Sequence, residues 1–379
     1  MNSKIVIFGS TGTIGVQTLD LCRQYPERFS CVGISGFCNQ KLLEEQLNKF
    51  KPKYVAFPDD KVVCRWQKIY PDIIFFKGKN CFVELASMHD YDIALMAIVG
   101  LAALAPALAV LKNNKDIALA SKEILVAAGH IVNEIIKEKK TNIYPVDSEH
   151  AAIDMCLSGY DFDEISNMIL TSSGGALRNY NSFENVTIEE VLKHPNWKMG
   201  QKITVDSATL VNKGLEIIEA HYLFQIPFDK IKVLIHPQSI VHGCITLNNG
   251  VVISQMSVPD MKIAIAYALS KGQVQFSTSQ PLDLTKFNLE FREVDKLKYP
   301  ALGLAYYVGK KGHSWPTVFN SANEEAVDLF LKKRISFHKI VPFIEHVLEK
   351  HQQITNPYLS DILEVDAWSR LMIKELING

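Results

Sequence analysis

The feature that most constrains the fold is a short apolar run, residues 4–8, which leads directly into a glycine-rich turn and then a helical pattern over residues 16–23. The turn carries Gly9, Gly12 and Gly15. A strand, a glycine turn and a helix in this order begin the unit that binds dinucleotides in doubly wound sheets, because glycines let the backbone approach the pyrophosphate. The sequence therefore predicts an N-terminal Rossmann-like fold.

The alternation of strands and helices continues through the first 147 residues. Strand-like runs occupy residues 31–35, 54–57, 73–76, 93–99, 117–120 and 142–146. Such alternation predicts a mostly parallel sheet, whose ligands lie at the carboxyl ends of the strands. The uncharged residues 93–111 could also be a membrane span, but Gly100, Pro106 and many alanines favour a buried strand, a turn and a buried helix.

The character of the sequence changes after residue 147. Residues 231–235, 245–247 and 251–256 predict strands of a second, smaller sheet, with a hairpin turn at residues 248–250. From residue 302 the pattern is helical, with a capping box at residues 321–324.

We expect an α/β protein with four parts. A Rossmann-like doubly wound parallel sheet spans residues 1–147, and a central α+β catalytic domain spans residues 148–280. A linker follows over residues 281–300, and a C-terminal α-helical bundle over residues 301–379.

Composition and charge narrow the classes of function. The chain of 379 residues has a formal net charge of -1 and 47% hydrophobic residues, which argues against a large nucleic-acid-binding surface and against global disorder. Its seven cysteines form no Cys-x-x-Cys pair, and the N-terminus lacks the longer apolar region of a signal peptide. We expect a cytoplasmic protein with reduced thiols and no membrane segment.

Asp147, Ser148 and Glu149 follow the last strand-like run of the first domain. In an extended chain, side chains at positions i and i+2 point the same way, so the two carboxylates would converge. Converging carboxylates repel each other unless a cation or a shared proton relieves them, and Mg²⁺ or Mn²⁺ takes such oxygen ligands. For these three residues alone, a solvated acidic turn is the alternative interpretation.

A polar stretch after residue 170 suggests an anion-binding loop. Ser173 with Gly174 and Gly175 can present hydroxyl and backbone donors to a phosphate, and His194 with Trp197 could form a lid. The alternatives are a flexible loop and a tryptophan that serves only as a packing anchor.

A helical segment adds Ser207, Asn212, Lys213 and Glu216. Lys213 and Glu216 share a helix face, which an ordinary surface ion pair would also explain. With Ser207 and Asn212 beside them, these residues predict a polar pocket with an anion end and a metal end. Lys122, at the exit of a buried strand, is a further candidate, although it could be an ordinary helix-entry lysine.

These segments together resemble the 1-deoxy-D-xylulose 5-phosphate reductoisomerase family, in the family's order from the first strand to the last helices. The matching motifs are residues 9–15, 119–123, 145–150, 173–175, 194–200, 205–209, 212–216, 236–239 and 259–261.

The resemblance implies a reaction and an assembly. Members of the family convert 1-deoxy-D-xylulose 5-phosphate to 2-C-methyl-D-erythritol 4-phosphate in the non-mevalonate isoprenoid pathway. A metal-assisted rearrangement of the carbon skeleton precedes reduction by NADPH. The resemblance also implies a homodimer that acts on a small phosphorylated sugar.

The resemblance further assigns roles to residues. Asp147, Glu149 and Glu216 would hold Mg²⁺, Mn²⁺ or Co²⁺, and Lys122, Glu149, His194 and Glu216 would be catalytic. The substrate would be bound by Lys122, Ser148, Glu149, Ser173, His194, Trp197, Met199, Ser207, Asn212, Lys213 and Glu216. The cofactor would be bound by Thr11, Gly12, Thr13, Ile14, Gly36, Asn39, Ser121, Glu123 and Gly200.

Two positions depart from the family's pattern. Ser121 stands where members usually have asparagine, and Cys38 stands where a basic residue would favour the 2′-phosphate of NADPH. Asn39 matches, and no acid follows the second strand to repel that phosphate. NADPH is therefore the expected cofactor, with a weaker preference over NADH than is usual.

Two other functions fit parts of the pattern. The chain could be another metal-assisted, NADP-dependent sugar-phosphate dehydrogenase, which reduces its substrate without carbon migration. It could also be a non-catalytic NADP-binding sensor, but a sensor has no need for the set of metal carboxylates.

Overall fold

The computed structural model describes residues 2–273 and 276–378. Contacts divide this part of the chain into two compact units. The first unit comprises residues up to 124, residues 132–151 and residues 260–279, and the second comprises residues 125–131, 152–259 and those from 280 onward.

The first unit is built on a seven-stranded sheet in which all neighbouring strands are parallel, in the order β4-β3-β2-β1-β5-β6-β7. The strands are β1 Ser3–Phe8, β2 Phe29–Ser35, β3 Tyr54–Ala56, β4 Ile74–Phe76, β5 Ile93–Met96, β6 Asp116–Leu119 and β7 Ile143–Pro145. The connecting helices are α1 Thr13–Gln24, α2 Gln40–Phe50, α3 Asp60–Ile69, α4 Cys81–Ala86, α5 Leu104–Lys112 and α6 Glu123–Lys139. The predicted doubly wound architecture is confirmed.

The core of this sheet explains its apolar strands. Ile5, Ile7, Ile93 and Leu95 are fully buried, as expected for parallel strands covered on both faces. Helix α11, Met261–Leu269, returns from far along the chain and packs against α1 and β7. Residues 260–279 therefore belong with the first sheet in this structure, whereas the sequence placed them in the catalytic domain; the finer domain boundaries stay a prediction.

The second unit contains a mixed sheet in the order β11-β10-β8-β9-β12. Its strands are β8 Ile165–Ser172, β9 Ile231–Ile235, β10 Val241–Leu247, β11 Val252–Met256 and β12 Arg292–Glu293. Helix α7 is Ser148–Leu157, and the helices after it are α8 Ile188–Val191, α9 Gln201–Thr209, α10 Val211–Phe224, α12 Pro300–Lys311, α13 Trp315–Leu331, α14 Ile340–Lys350 and α15 Leu359–Asn378. Short 3-10 turns connect several of these elements.

The hairpin predicted at residues 248–250 is confirmed. Strands β10 and β11 pair antiparallel, and Gly250 takes a φ of +87°, which favours glycine. Strand β8, the centre of this sheet, was missed by the sequence analysis because its residues 165–172 lie next to a long polar loop. Part of the predicted linker, residues 292–293, forms strand β12 against β9.

Three local expectations were wrong. Helix α7 begins at Ser148, so Asp147 and Glu149 do not lie in an extended chain. The capping box predicted at residues 321–324 lies inside α13, because helix formation begins two turns earlier at Trp315. Strand β5 ends at Met96 rather than Val99, since Gly100 with a φ of +73° already begins the turn.

No helix in the described ranges 2–273 and 276–378 combines the length and hydrophobicity needed to cross a bilayer. Residues 93–111 instead form strand β5, a turn and the buried helix α5, as the sequence indicated.

Helix α12 provides a test of the packing in the second unit. Gly309 and Gly303 both lie within it, but a Cβ at Gly309 would meet the Phe228 ring at 2.5 Å, whereas a Cβ at Gly303 would meet nothing within 4 Å. We expect Gly309→Ala to destabilise the protein by about 1–3 kcal/mol through overpacking. Gly303→Ala, in the same helix, should stabilise it by roughly 0.5–1 kcal/mol through helix propensity.

The measurement is the free energy of unfolding in urea for both variants and the parent. Equal stability of the two alanine variants would contradict the close approach of α12 and Phe228.

Candidate functional site

The glycine turn after β1 is shaped by close backbone contacts. Gly9 has a φ of +88°, and a Cβ there would lie 2.5 Å from the carbonyl oxygen of Ala97. A Cβ at Gly15 would lie 2.4 Å from the carbonyl oxygen of Gly9. Gly12 precedes α1 as its N-cap and carries no side chain to cover the N–H groups of the first helical turn. The turn therefore presents a cradle suited to an anion.

A buried polar network that the sequence did not reveal holds this turn. The Ser10 hydroxyl lies 2.7 Å from Gln46 Oε1, and Gln46 Nε2 donates to the Ser10 carbonyl at 2.9 Å. The Gly9 N–H donates to the Ser35 hydroxyl at 3.0 Å. No local pattern reveals these contacts, because they join residues far apart in the chain.

The exit of β2 contains no acid. Phe37 and Cys38 are exposed, and the side chain of Asn39 caps α2 by accepting from the Leu42 N–H at 3.1 Å. A Cβ at Gly36 would contact the side chain of Leu43 at 3.1 Å.

Ser121, Lys122 and Glu123 are all buried at the exit of β6. The Ser121 hydroxyl lies 3.1 Å from the carbonyl oxygen of Met96 and 2.5 Å from that of Ile98, so it ties the end of β6 to the end of β5. The Ser121 side chain therefore takes part in the hydrogen bonding that joins strands β5 and β6 at their carboxyl ends.

Asp147 follows β7 and forms an ion pair with Lys122 at 2.5 Å. The Ser148 hydroxyl donates to the Glu149 carboxylate at 2.5 Å, within the first turn of α7. His150 is fully buried, with Nδ1 3.9 Å from Asp147 Oδ1. Asp147 precedes the first turn of α7, and Ser148 and Glu149 lie within that turn, so the three residues belong to a helix start rather than to a strand exit.

Two consecutive glycines follow β8 in the second unit. Gly174 and Gly175 have φ values of +78° and +70°, and a Cβ at Gly175 would lie 2.6 Å from the carbonyl oxygen of Ser207. The Gly175 N–H donates to the Ser173 hydroxyl at 3.1 Å. This close approach brings the loop that carries Ser173 against the helix that carries Ser207.

His194 lies on the loop before α9, with Nε2 2.9 Å from the Ser173 hydroxyl oxygen. Its Nδ1 accepts from the backbone N–H groups of Asn196 at 3.3 Å and of Trp197 at 2.9 Å. Because Nδ1 accepts, Nε2 carries the proton of the neutral ring and donates to Ser173.

The rest of this loop is half-buried or exposed. Trp197 packs its ring edge-to-face with His242 at 5.9 Å between centroids. Met199 is half-buried, and Gly200 is the N-cap of α9, where its carbonyl accepts from the Thr204 hydroxyl at 2.8 Å.

Helix α10 carries the remaining residues of the second unit. Leu210, with a φ of +60°, separates α9 from α10 and turns the chain. Asn212 and Lys213 both donate to the Glu216 carboxylate, and Lys213 and Glu216 are 2% and 1% exposed. An ion pair so completely buried excludes the ordinary surface pair that the sequence left open.

The predicted residues thus assemble into two groups. In the first unit, Thr11, Gly12, Thr13 and Ile14 form the glycine turn, and Lys122, Asp147, Ser148 and Glu149 lie around the start of α7. In the second unit, Ser173, His194, Ser207, Asn212, Lys213 and Glu216 lie on the loop after β8, the loop before α9, and helices α9 and α10.

Three family profiles match this chain. That of 1-deoxy-D-xylulose 5-phosphate reductoisomerase matches residues 5–129, that of its C-terminal domain residues 143–224, and that of the DXP reductoisomerase C-terminal domain residues 256–372. The chain belongs to the 1-deoxy-D-xylulose 5-phosphate reductoisomerase family.

Individual members of the family are similar over the whole chain. The 1-deoxy-D-xylulose 5-phosphate reductoisomerase of Caldanaerobacter subterraneus subsp. tengcongensis is 46% identical and aligns over 97% of both chains. The Zymomonas mobilis enzyme, solved in complex with NADPH, is 34% identical with a TM-score of 0.93 and full coverage of both chains. A reductoisomerase solved with NADPH, fosmidomycin and magnesium is 34% identical, has a TM-score of 0.91 and covers 99% of this chain and 98% of its own.

Proposed function

We propose that the chain carries out the reaction of its family, the NADPH- and divalent-metal-dependent conversion of 1-deoxy-D-xylulose 5-phosphate to 2-C-methyl-D-erythritol 4-phosphate, a step of isoprenoid biosynthesis. The observation that carries this proposal is the group on the loop after β8, the loop before α9 and helix α10, where hydroxyl, imidazole, amide and ammonium donors accompany a buried carboxylate. The solved relatives with NADPH and magnesium support the cofactors.

Asp147, Glu149 and Glu216 are the proposed metal ligands. The donor set fits a hard cation, since all three offer carboxylate oxygens. Asp147 and Glu216 each form an ion pair with a lysine ammonium, so each of these two carboxylates already lies against a positive charge. Mg²⁺, Mn²⁺ and Co²⁺ all suit this set.

When bound, the cation supplies Lewis acidity to adjacent substrate oxygens and NADPH supplies a hydride. The chain's own residues then bind and orient the substrate. Ser173, Ser207, Asn212 and Lys213 are proposed to hold its phosphate through hydroxyl, amide and ammonium donors. His194, which donates to Ser173, is proposed to contact the substrate from the loop before α9.

The hydroxyl end of the substrate is assigned to Lys122 and Ser148, which lie beside Asp147 and Glu149. Lys122 can donate a proton or a hydrogen bond to a developing oxyanion. Trp197 and Met199 are proposed to cover the substrate and to exclude water, so the polar donors act in a low-dielectric environment.

The cofactor is assigned to the carboxyl edge of the parallel sheet. Its pyrophosphate is assigned to the cradle of the glycine turn, where Thr11 and Gly12 precede α1 and Thr13 and Ile14 are its first residues. The remaining proposed contacts are Gly36, Asn39, Ser121, Glu123 and Gly200.

We further propose a cytoplasmic homodimer. The seven cysteines are all free, which suits a reducing compartment. Strand β11 lies at one edge of the second sheet and exposes Val252 and Met256, and an apolar edge of this kind favours pairing with a second copy.

The decisive experiment is NADPH oxidation in the presence of 1-deoxy-D-xylulose 5-phosphate, with and without divalent metal, followed by identification of the product. A branched methyl-tetritol phosphate supports the proposal. An unbranched reduced sugar phosphate would instead indicate an ordinary dehydrogenase, and metal-independent or absent NADPH oxidation would favour a sensor.

The metal assignment predicts that substitutions of the ligands reduce turnover without changing the affinity for NADPH. Glu149→Gln and Glu216→Gln should each remove most metal-dependent turnover, because the amide is neutral and a weaker ligand, and each should leave the dissociation constant for NADPH nearly unchanged. A steady-state assay measures the turnover, and fluorescence titration measures the NADPH dissociation constant. Glu189→Gln, at an exposed position on α8, is the control; near-normal turnover of either site variant would refute the assignment.

The exit of β2 predicts a modest cofactor preference. Cys38 is exposed and uncharged, so we expect a smaller ratio of kcat/KM for NADPH over NADH than a basic residue would give. Cys38→Arg should raise this ratio by about tenfold to a hundredfold, since one charge-assisted contact to the 2′-phosphate contributes about 1.5–3 kcal/mol. A large NADPH preference of the parent protein would show that another basic residue performs this role.

The assembly proposal predicts a dimer in solution, measured by light scattering during gel filtration. Val252→Lys, which places a charge on the exposed edge strand, should weaken the dimer. A monomeric parent, or a variant that dimerises as tightly as the parent, would contradict it.

A further inference from the structure

We propose that Asn196 is a positioning residue whose side-chain amide fixes the backbone that holds His194 against Ser173, and that it thereby sets the affinity for the substrate's phosphate. The proposal rests on the proposed function, because that function assigns the phosphate to Ser173 and a substrate contact to His194.

Two neighbouring strands provide the platform. Strands β8 and β9 are parallel and adjacent, and the His236 N–H donates to the carbonyl oxygen of Ser172 at 2.7 Å, just beyond the last paired residues. The loop that starts at Ser173 and the turn of residues 236–239 therefore leave the sheet side by side.

The turn of residues 236–239 is a firm support. Its chain reverses through Ser239, which is buried, has a φ of +52° and donates its N–H to the His236 carbonyl at 3.1 Å. His236 is fully buried, its Nδ1 lies 2.8 Å from the Glu290 carbonyl oxygen, and burial lowers its pKa below the ordinary value of 6.5. The turn therefore keeps a neutral, hydrogen-bonded histidine at its base.

Asn196 joins the loop to this support. Its Nδ2 donates to the carbonyl oxygen of Pro237 at 2.6 Å and to the Ser239 hydroxyl at 2.9 Å. A primary amide has two N–H donors, so each acceptor receives one. Both acceptors need an N–H donor at position 196, and an aspartate carboxylate, although it has the same shape as the amide, has none to offer.

The backbone at Asn196 transmits this anchoring to His194. The N–H groups of Asn196 and Trp197 both donate to His194 Nδ1, which fixes the ring orientation and places the proton on Nε2. Nε2 then donates to the Ser173 hydroxyl oxygen, which also accepts from the Gly175 N–H. With both lone pairs of this oxygen engaged, its O–H proton is directed to a further acceptor, as an anion-binding hydroxyl requires.

The test is Asn196→Asp, which keeps the shape but turns the two donors into acceptors facing a carbonyl oxygen. Losing two hydrogen bonds of ordinary strength predicts a KM for 1-deoxy-D-xylulose 5-phosphate raised by about tenfold to a hundredfold. The dissociation constant of the same compound, measured by calorimetry with Mg²⁺ and without NADPH, should rise in parallel. We expect kcat to change less than about threefold and the NADPH dissociation constant to stay as in the parent, while the loss of the two hydrogen bonds lowers the unfolding midpoint by a few degrees at most.

Asn181→Asp is the matched control, because it adds the same charge at an exposed asparagine of the same polar region. Ser239→Ala removes only one of the two acceptors, so it should raise KM less, and its effect should not add to that of Asn196→Ala. This second pair keeps the proposal testable if the aspartate variant does not fold.

The outcomes distinguish a failure of the positioning role of Asn196 from a failure of the proposed function. If the parent turns over the substrate but Asn196→Asp has the same KM and substrate affinity as Asn181→Asp, the positioning role is wrong while the function stands. If the parent itself shows no turnover of 1-deoxy-D-xylulose 5-phosphate with NADPH and metal, the proposed function fails.

Discussion

Asp147 and Glu216 hold carboxylates that are largely withdrawn from water, and Lys122 and Lys213 place ammonium groups against them. Removing a charge from water costs several kcal/mol unless an opposite charge compensates it, and breaking such a buried ion pair costs about 3–5 kcal/mol. Among the described residues, Lys122 and Lys213 are also the lysines that are buried. Each of these buried lysines therefore lies against a carboxylate that compensates its charge.

The same constraint bears on the metal site proposed for Asp147 and Glu216. A carboxylate compensated by a lysine can exchange that partner for a divalent cation, and the released ammonium can then bind an anionic substrate. Both residues of each ion pair lie within one unit, so each unit arranges its own charges.

Backbone geometry at two glycines shapes the loops that carry the candidate site residues. Gly9 after β1 and Gly175 after β8 adopt positive φ values in places where a Cβ would overlap a carbonyl oxygen. These glycines let the loops pack closely against their neighbours, Ala97 in one unit and Ser207 in the other. Both loops leave their sheets at the carboxyl end of a strand, and parallel sheets such as the first generally bind their ligands at that edge.

The sequence by itself determined the parallel sheet of the first unit, since its buried strands are continuous apolar runs and Gly9, Gly12 and Gly15 mark the first turn. It also picked out Ser173, His194, Lys213 and Glu216, because polar groups in such density are unusual for a loop and a helix. Only the tertiary structure decided the helical start of α7 at Ser148, the place of β8 in the second sheet, and the bonds from Gln46 to Ser10 and from Asn196 to Ser239. The physical reason is that local periodicity and turn chemistry act within a few residues, whereas these contacts depend on strands and loops that only the folded chain brings together.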